Sequence, residues 1–89
     1  MSFHFDPEKA RLNLTKHGVS FADAEPVFYD PMALTTEDND AVGEFRLVTM
    51  GMDALGRVLV VVYTQRGEQT RIISARKASA GERKKYDAQ

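Results

Sequence analysis

The chain contains no cysteine, only three prolines, and no apolar run longer than the six residues 58–63. Without cysteine there is no disulfide framework, no thiolate zinc site and no cysteine nucleophile, which removes the usual stabilisers of small secreted proteins. A cytoplasmic home fits that composition. Six apolar residues fall far short of the roughly 18 that a membrane-spanning helix needs. Residues 1–9 lack the basic start and apolar stretch of a signal peptide, so neither export nor membrane insertion is expected. What is present is ordinary for a folded domain, with 43% hydrophobic and 28% charged residues in a chain of 89. That length suits one domain, residues 1–89, with a small core and room for one site.

The net charge of −1 hides two opposed blocks. From Ser20 to Leu55 there are eight acids against one base, Arg46. From Arg66 onward the bases Arg66, Arg71, Arg76, Lys77, Arg83, Lys84 and Lys85 face only Glu68, Glu82 and Asp87. Clustered Arg and Lys can neutralise phosphates, and the counterions released on contact favour binding of any nucleic acid. A solvated charged face is the alternative that composition leaves open.

Local signals divide the chain clearly. Phe3 and Phe5 alternate with His4, as in a short strand that Asp6-Pro7 ends. Asp6 is a good N-cap, Pro7 suits the first helical position and Gly18 a left-handed C-terminal cap, so a helix is expected over 7–17. Within it Ala10, Asn13, Leu14 and His17 fall at helical spacing, placing His17 on or beside the face that carries Leu14. Ser20 caps a second helix to about Tyr29, which Pro26 should bend or split near Glu25, because an interior proline removes a backbone bond. An acidic turn region covers 37–43. Strands are expected over 45–52, 57–64 and 69–75, with a weaker fragment near 32–36. The second of the three is apolar on both faces and belongs at the centre of the sheet. Ser79 and Glu82 form a capping box for a terminal helix over 80–87. The order is β-α-α-β-β-β-α, an α+β domain with a small antiparallel sheet, two N-terminal helices and one C-terminal helix.

Arginine is suited to a phosphodiester because its planar fork donates two parallel hydrogen bonds and keeps its charge at any working pH. Arg71 and Arg76 project to opposite faces of a regular strand, and only a bend or bulge near 74–76 would bring them together. Lys77 could add a point charge beyond the strand end. Histidine is the side-chain type suited to proton transfer near neutral pH, so His17 could move a proton, although a histidine in the last turn of a helix also favours the dipole there. Lys9 looks like a solvated helix residue and is the outside candidate for a site. His4, between two aromatic residues on an expected edge strand, is assigned a structural place. Core or rim packing is the first reading of Tyr63 and Tyr86, which could otherwise stack on bases. Metal binding is unsupported, since no pair of His or carboxylates has a recognised ligand spacing. There is likewise no phosphate-cradling glycine loop and no nucleophile elbow, so no cofactor is expected.

The run Phe5-Asp6-Pro7-Glu8-Lys9-Ala10, then Asn13, Lys16-His17-Gly18-Val19-Ser20-Phe21, Ala24, Phe28 and Asp30-Pro31, resembles the N-terminal signature of the BrnT toxins. Gly56-Arg57, Val60-Val61-Val62-Tyr63-Thr64 and Arg71-Ile72-Ile73-Ser74-Ala75-Arg76-Lys77-Ala78, with Glu82 and Tyr86, resemble the C-terminal half of the same family. The resemblance covers nearly the whole chain. Two positions depart from it: Phe5 stands where many members have Trp, and Pro26 interrupts the second helix.

That resemblance implies a RelE-like fold and a ribonuclease toxin of a type II toxin-antitoxin pair that inhibits growth or translation. Its partner would be a BrnA-type antitoxin, a DNA-binding protein that forms a hetero-oligomer with it and contacts operator DNA. The family's basic face maps onto Arg71, Arg76 and Lys77, with His17 and Lys9 in the N-terminal motif; Arg66, Tyr63 and Arg83 complete the expected RNA-binding set. Metal-independent cleavage uses the RNA 2′-hydroxyl as nucleophile, which calls for a base, donors to the developing phosphorane charge, and an acid for the leaving 5′-oxygen. Arg71 and Arg76 are the expected donors, Lys77 assists, and His17 or Lys9 moves protons. A non-catalytic RNA-binding or regulatory module, or a scaffold for another protein, would use the same basic end without cutting.

Overall fold

Asp6 begins the first helix as its chemistry requires: its carboxylate accepts the Glu8 N–H at 2.9 Å, and Gly18 closes the other end at φ 69° with its N–H on the Leu14 carbonyl. The computed structural model describes residues 2–38 and 45–89. In chain order these form β1 (Ser2–His4), α1 (Pro7–His17), α2 (Phe21–Ala24), a 3₁₀ helix (Glu25–Tyr29), β2 (Leu34–Glu37), β3 (Leu47–Met52), β4 (Val58–Arg66), β5 (Gln69–Lys77) and α3 (Ala80–Asp87). The second helical segment does split at Glu25. Pro26 sits in the first turn of the 3₁₀ helix, where no N–H is needed. Most of the acidic turn expected over 37–43 lies outside the described residues.

The five strands form one sheet in the order β1-β5-β4-β3-β2. Two features differ from the sequence reading. The weak fragment near 32–36 is a full strand, paired antiparallel to β3 from Leu34↔Met50 to Glu37↔Leu47. The sheet is also mixed rather than antiparallel, because β1 runs parallel to β5, with Ser2 opposite Gln69, Phe3 opposite Thr70 and His4 opposite Arg71. Alternation reveals which face a residue takes but not which strand it will pair with, and this pairing joins distant parts of the chain.

β4 takes the central place that its apolar run implies. On one face Leu59, Val61 and Tyr63 meet Ile72 and Ala75 of β5, with Val19, Phe21, Ala24 and Val27 packed over them. On the other face Val58 and Val60 are buried as well, at the end of the sheet where α3 lies. Two polar ties hold α3 there: Glu82 to Arg76, and the Tyr86 hydroxyl to Asp30 at 2.5 Å. Asp30 also accepts the backbone N–H groups of Met32 and Met52, so one carboxylate fastens the turn before β2, the end of β3 and the terminal helix.

α1 packs on β5 through Ala10, Asn13 and His17, whereas Leu14 is 51% exposed. A polar residue takes the inward position because of what it meets. β1 covers β5 only as far as Arg71, and beyond that the strand edge would have unpaired backbone groups. Asn13 fills the gap, as its amide donates to the Ala75 carbonyl at 2.8 Å and its oxygen accepts the Ala75 N–H at 3.1 Å.

Candidate functional site

One irregularity in β5 decides which of its side chains share a face. Val62 pairs with Ser74, and the next residue, Tyr63, pairs with Ile72, so Ile73 is an extra residue forming a β-bulge. The bulge resets the alternation. Ile72 and Ala75, opposite Tyr63 and Val61, face the core, while Arg71, Ser74 and Arg76, opposite Thr64, Val62 and Val60, all lie on the other side. Arg71 and Arg76 therefore share a face.

Their surroundings differ. Arg76 donates to both oxygens of Glu82, at 2.8 and 2.9 Å. The hydrogen bonds from Arg76, and after them those from Ser79, hold the Glu82 carboxyl well below its ordinary value, at about 2, and Glu82 in turn raises the Arg76 guanidinium. Arg71 has no such partner among the described residues. It lies in a depression of about 650 Å³ together with His4, Phe5, Phe45, Arg66 and Gln69. Lys77 is exposed at the strand end.

His17 and Lys9 lie elsewhere. They line a shallow groove of about 220 Å³ between α1 and β5, with Leu12, Lys16, Ile73 and Ser74. The expected residues thus fall into three groups strung along six positions of β5: the depression at Arg71, the groove at Ser74, and the Arg76–Glu82 clasp. Arg83 lies beyond these, on the exposed side of α3, paired with Asp87 at 3.3 Å.

One placement corrects the expected RNA-binding set, and a second agrees with the packing reading. Tyr63 is only 5% exposed, with its ring against Phe28 and its hydroxyl 2.7 Å from the Thr49 hydroxyl, so it offers no face to a base. Tyr86 is likewise buried, its hydroxyl engaged by Asp30, which pushes its own titration up. Burial of Asp30 opposes its charge, but the Tyr86 hydroxyl and the two backbone N–H groups prevail, leaving its carboxyl below the ordinary value. In the opposite direction, His4 is an exposed side chain facing Arg71 across the parallel pairing, not a packed one. Its position depended on the β1–β5 register, for which the sequence carries no local signal. Phe45, 60% exposed, also lines the depression, and no sequence motif marks it. Among the described residues no three His, Asp or Glu side chains come together in a way that could hold a metal ion.

Fold and site together define a small α+β domain whose bulged strand presents arginines on a solvent-accessible face. The family model described as ribonuclease toxin, BrnT, of type II toxin-antitoxin system matches residues 5–82, and the chain belongs to that family. Its place in a toxin-antitoxin family implies an antitoxin partner. The crystal structure of the Brucella abortus ribonuclease toxin BrnT is similar, with 28% sequence identity and a TM-score of 0.70 over 89% of this chain and 97% of that one. No curated protein matches the chain. No helix among the described residues is long and apolar enough to cross a membrane.

Proposed function

We propose that the protein is a metal-independent endoribonuclease toxin of RelE-like type, acting in the cytoplasm to arrest growth or translation. A BrnA-type antitoxin would neutralise it and carry the pair to operator DNA. The observation that carries this reading is the Ile73 bulge, which places Arg71, Ser74 and Arg76 on one face of β5.

In this reading Arg71, whose guanidinium has no acidic partner among the described residues, donates to the phosphate and to the charge that develops as the 2′-hydroxyl attacks. Arg76 holds α3 through Glu82 and lends positive potential from behind. Lys77 adds a point charge at the strand end, with Arg66 and Arg83 along the path of the RNA backbone. His17 and Lys9 reach the scissile region from the α1 groove and supply proton transfer. The route needs only these side chains and the RNA's own hydroxyl.

The test is expression of the full chain with and without its antitoxin, followed by assay of the purified chain on RNA in EDTA. Growth arrest relieved by the antitoxin, with RNA cut in EDTA, is the expected result. RNA bound but left intact would favour the non-catalytic module instead.

A further inference from the structure

All but two of the seven described arginines have a partner, Arg46 among those that do. Arg11 is paired with Glu8, Arg57 with Asp53, Arg76 with Glu82 and Arg83 with Asp87. Arg66 and Arg71 have no hydrogen-bonded or ionic partner among the described residues, and both line the same depression. They share a face of the sheet, since Arg71 lies opposite Thr64 and Arg66 is two residues further along β4. Two unneutralised guanidinium groups on one wall make a site for an anion with several oxygens.

The rest of the depression gives that anion a context. Phe45 presents a largely exposed ring, Phe5 is partly exposed with its ring edge-on to Phe21, and the Gln69 amide is exposed and has no side-chain partner among the described residues. His4 stands beside Arg71 and is tied to the Ser2 hydroxyl at 3.1 Å. Flat apolar rings, a free amide and paired cationic forks within about 650 Å³ match one unstacked nucleotide, base and phosphate together. An acidic peptide would use the arginines and leave the rings idle.

We infer that this depression is a subsite for one nucleotide of single-stranded RNA, with Phe45 against the base, Gln69 at its edge, and Arg66, Arg71 and His4 around its phosphate. The inference rests on the proposed action on RNA and locates where an extruded base is read. It assigns His4, Phe45 and Gln69 a role in nucleotide selection.

The experiment uses a fluorescently labelled 2′-O-methyl RNA pentamer, which lacks the attacking hydroxyl, so binding is read without cleavage. The full chain is compared with Phe45→Ala, Arg66→Gln and Gln69→Ala, each checked for folding by circular dichroism. Loss of the stacking ring should weaken binding roughly 5- to 100-fold. Arg66→Gln should lower the slope of log affinity against log salt by about 0.7. In the unlabelled chain, uridine monophosphate should shift the His4 ring resonances more than inorganic phosphate does.

Folded variants that bind the pentamer as the parent does would overturn the subsite, even if the parent cuts RNA. A parent that binds the pentamer, loses affinity in the variants and yet cuts no RNA would uphold the subsite and reject the ribonuclease reading. Tighter binding of a glutamate-rich peptide than of the pentamer would reassign the depression to an acidic protein segment. Equal responses to inorganic phosphate and the nucleotide would reduce it to a bare anion site and overturn the proposal.

Discussion

The side chain of Asn13 and the backbone of Ala75 exchange a reciprocal pair of hydrogen bonds, at 2.8 and 3.1 Å, across 62 residues of sequence. The same amide also donates to the Val19 carbonyl at 3.0 Å. Asn13 thus does for the bare edge of β5 what a neighbouring strand would do, while fixing the chain as it leaves α1. Because these groups are buried, a replacement that cannot bond them leaves three backbone groups unsatisfied.

Asn13→Ala is expected to destabilise the fold by about 2–4 kcal/mol, with a fall in Tm of roughly 10 °C or more for a domain of this size. Thermal unfolding followed by circular dichroism checks this. A variant that melts with the parent would show that water replaces the amide at no cost.

Gly51 lies where β3 meets the 3₁₀ helix. A Cβ there would sit 3.0 Å from Val27 Cγ1, 3.1 Å from the Val27 carbonyl oxygen and 3.3 Å from Ala33 Cβ. Gly51→Ala should therefore cost about 1–3 kcal/mol, since backbone as well as side chain must move. Gly81, in the first turn of α3, has open space around it, and Gly81→Ala should be neutral or slightly stabilising. Urea midpoints of the two variants, measured side by side, give the comparison.

Acid should loosen α3. Glu82 is held down to about 2 from an ordinary 4.5, first by Arg76 and then by Ser79. A depressed carboxyl contributes stability that is fully present above its unfolded value and lost as pH falls through its folded one. The loss should run from about pH 4.5 to about pH 2. Its size is on the order of 1 kcal/mol once screening of a partly exposed pair is allowed for. Glu82→Gln should lower stability at pH 7 and flatten that part of the acid profile, read as urea midpoints across the range.

Activity should separate the two arginines that share a face. Arg71→Ala, at an exposed position, should reduce RNA cleavage on the order of a hundredfold with Tm unchanged, as for loss of one donor to a developing oxyanion. Arg76→Ala should lower both cleavage and Tm, because it also releases Glu82 and α3. If His17→Ala and Lys9→Ala each cleave at the parental rate, proton transfer belongs to another group, and the pH–rate profile of His4→Ala becomes the next measurement.

Much of this was legible in the sequence, for reasons that can be named. Asp6, Pro7 and Gly18 bound α1, and Ser79 with Glu82 bounds α3, because caps are local chemistry that a few residues decide. Five consecutive apolar residues from Val58 place β4 at the centre, since only a strand covered on both faces has that composition. What escaped depends on distant pairing. Nothing around Phe3 says that β1 runs parallel to β5, so the sequence alone gives His4 a structural place. Nothing around Ile73 marks a bulge, so local pattern alone does not put Arg71 and Arg76 on a common face. Leu14 outranks Asn13 on any hydrophobic scale, yet the polar residue faces inward because the surface it meets is a row of backbone groups.

The pairing of Ser2 with Gln69 and His4 with Arg71 has a consequence for synthesis. The first strand emerges from the ribosome early and has no strand to join until most of the chain has followed. The depression between His4 and Arg71 is closed by residues that are made at opposite ends of translation. A nascent or truncated chain ending before β5 carries His17 and Lys9 but no Arg71, no Ala75 backbone for Asn13 to bond and no complete depression. The arginine-lined face of the sheet is thus assembled only after β5 has been made.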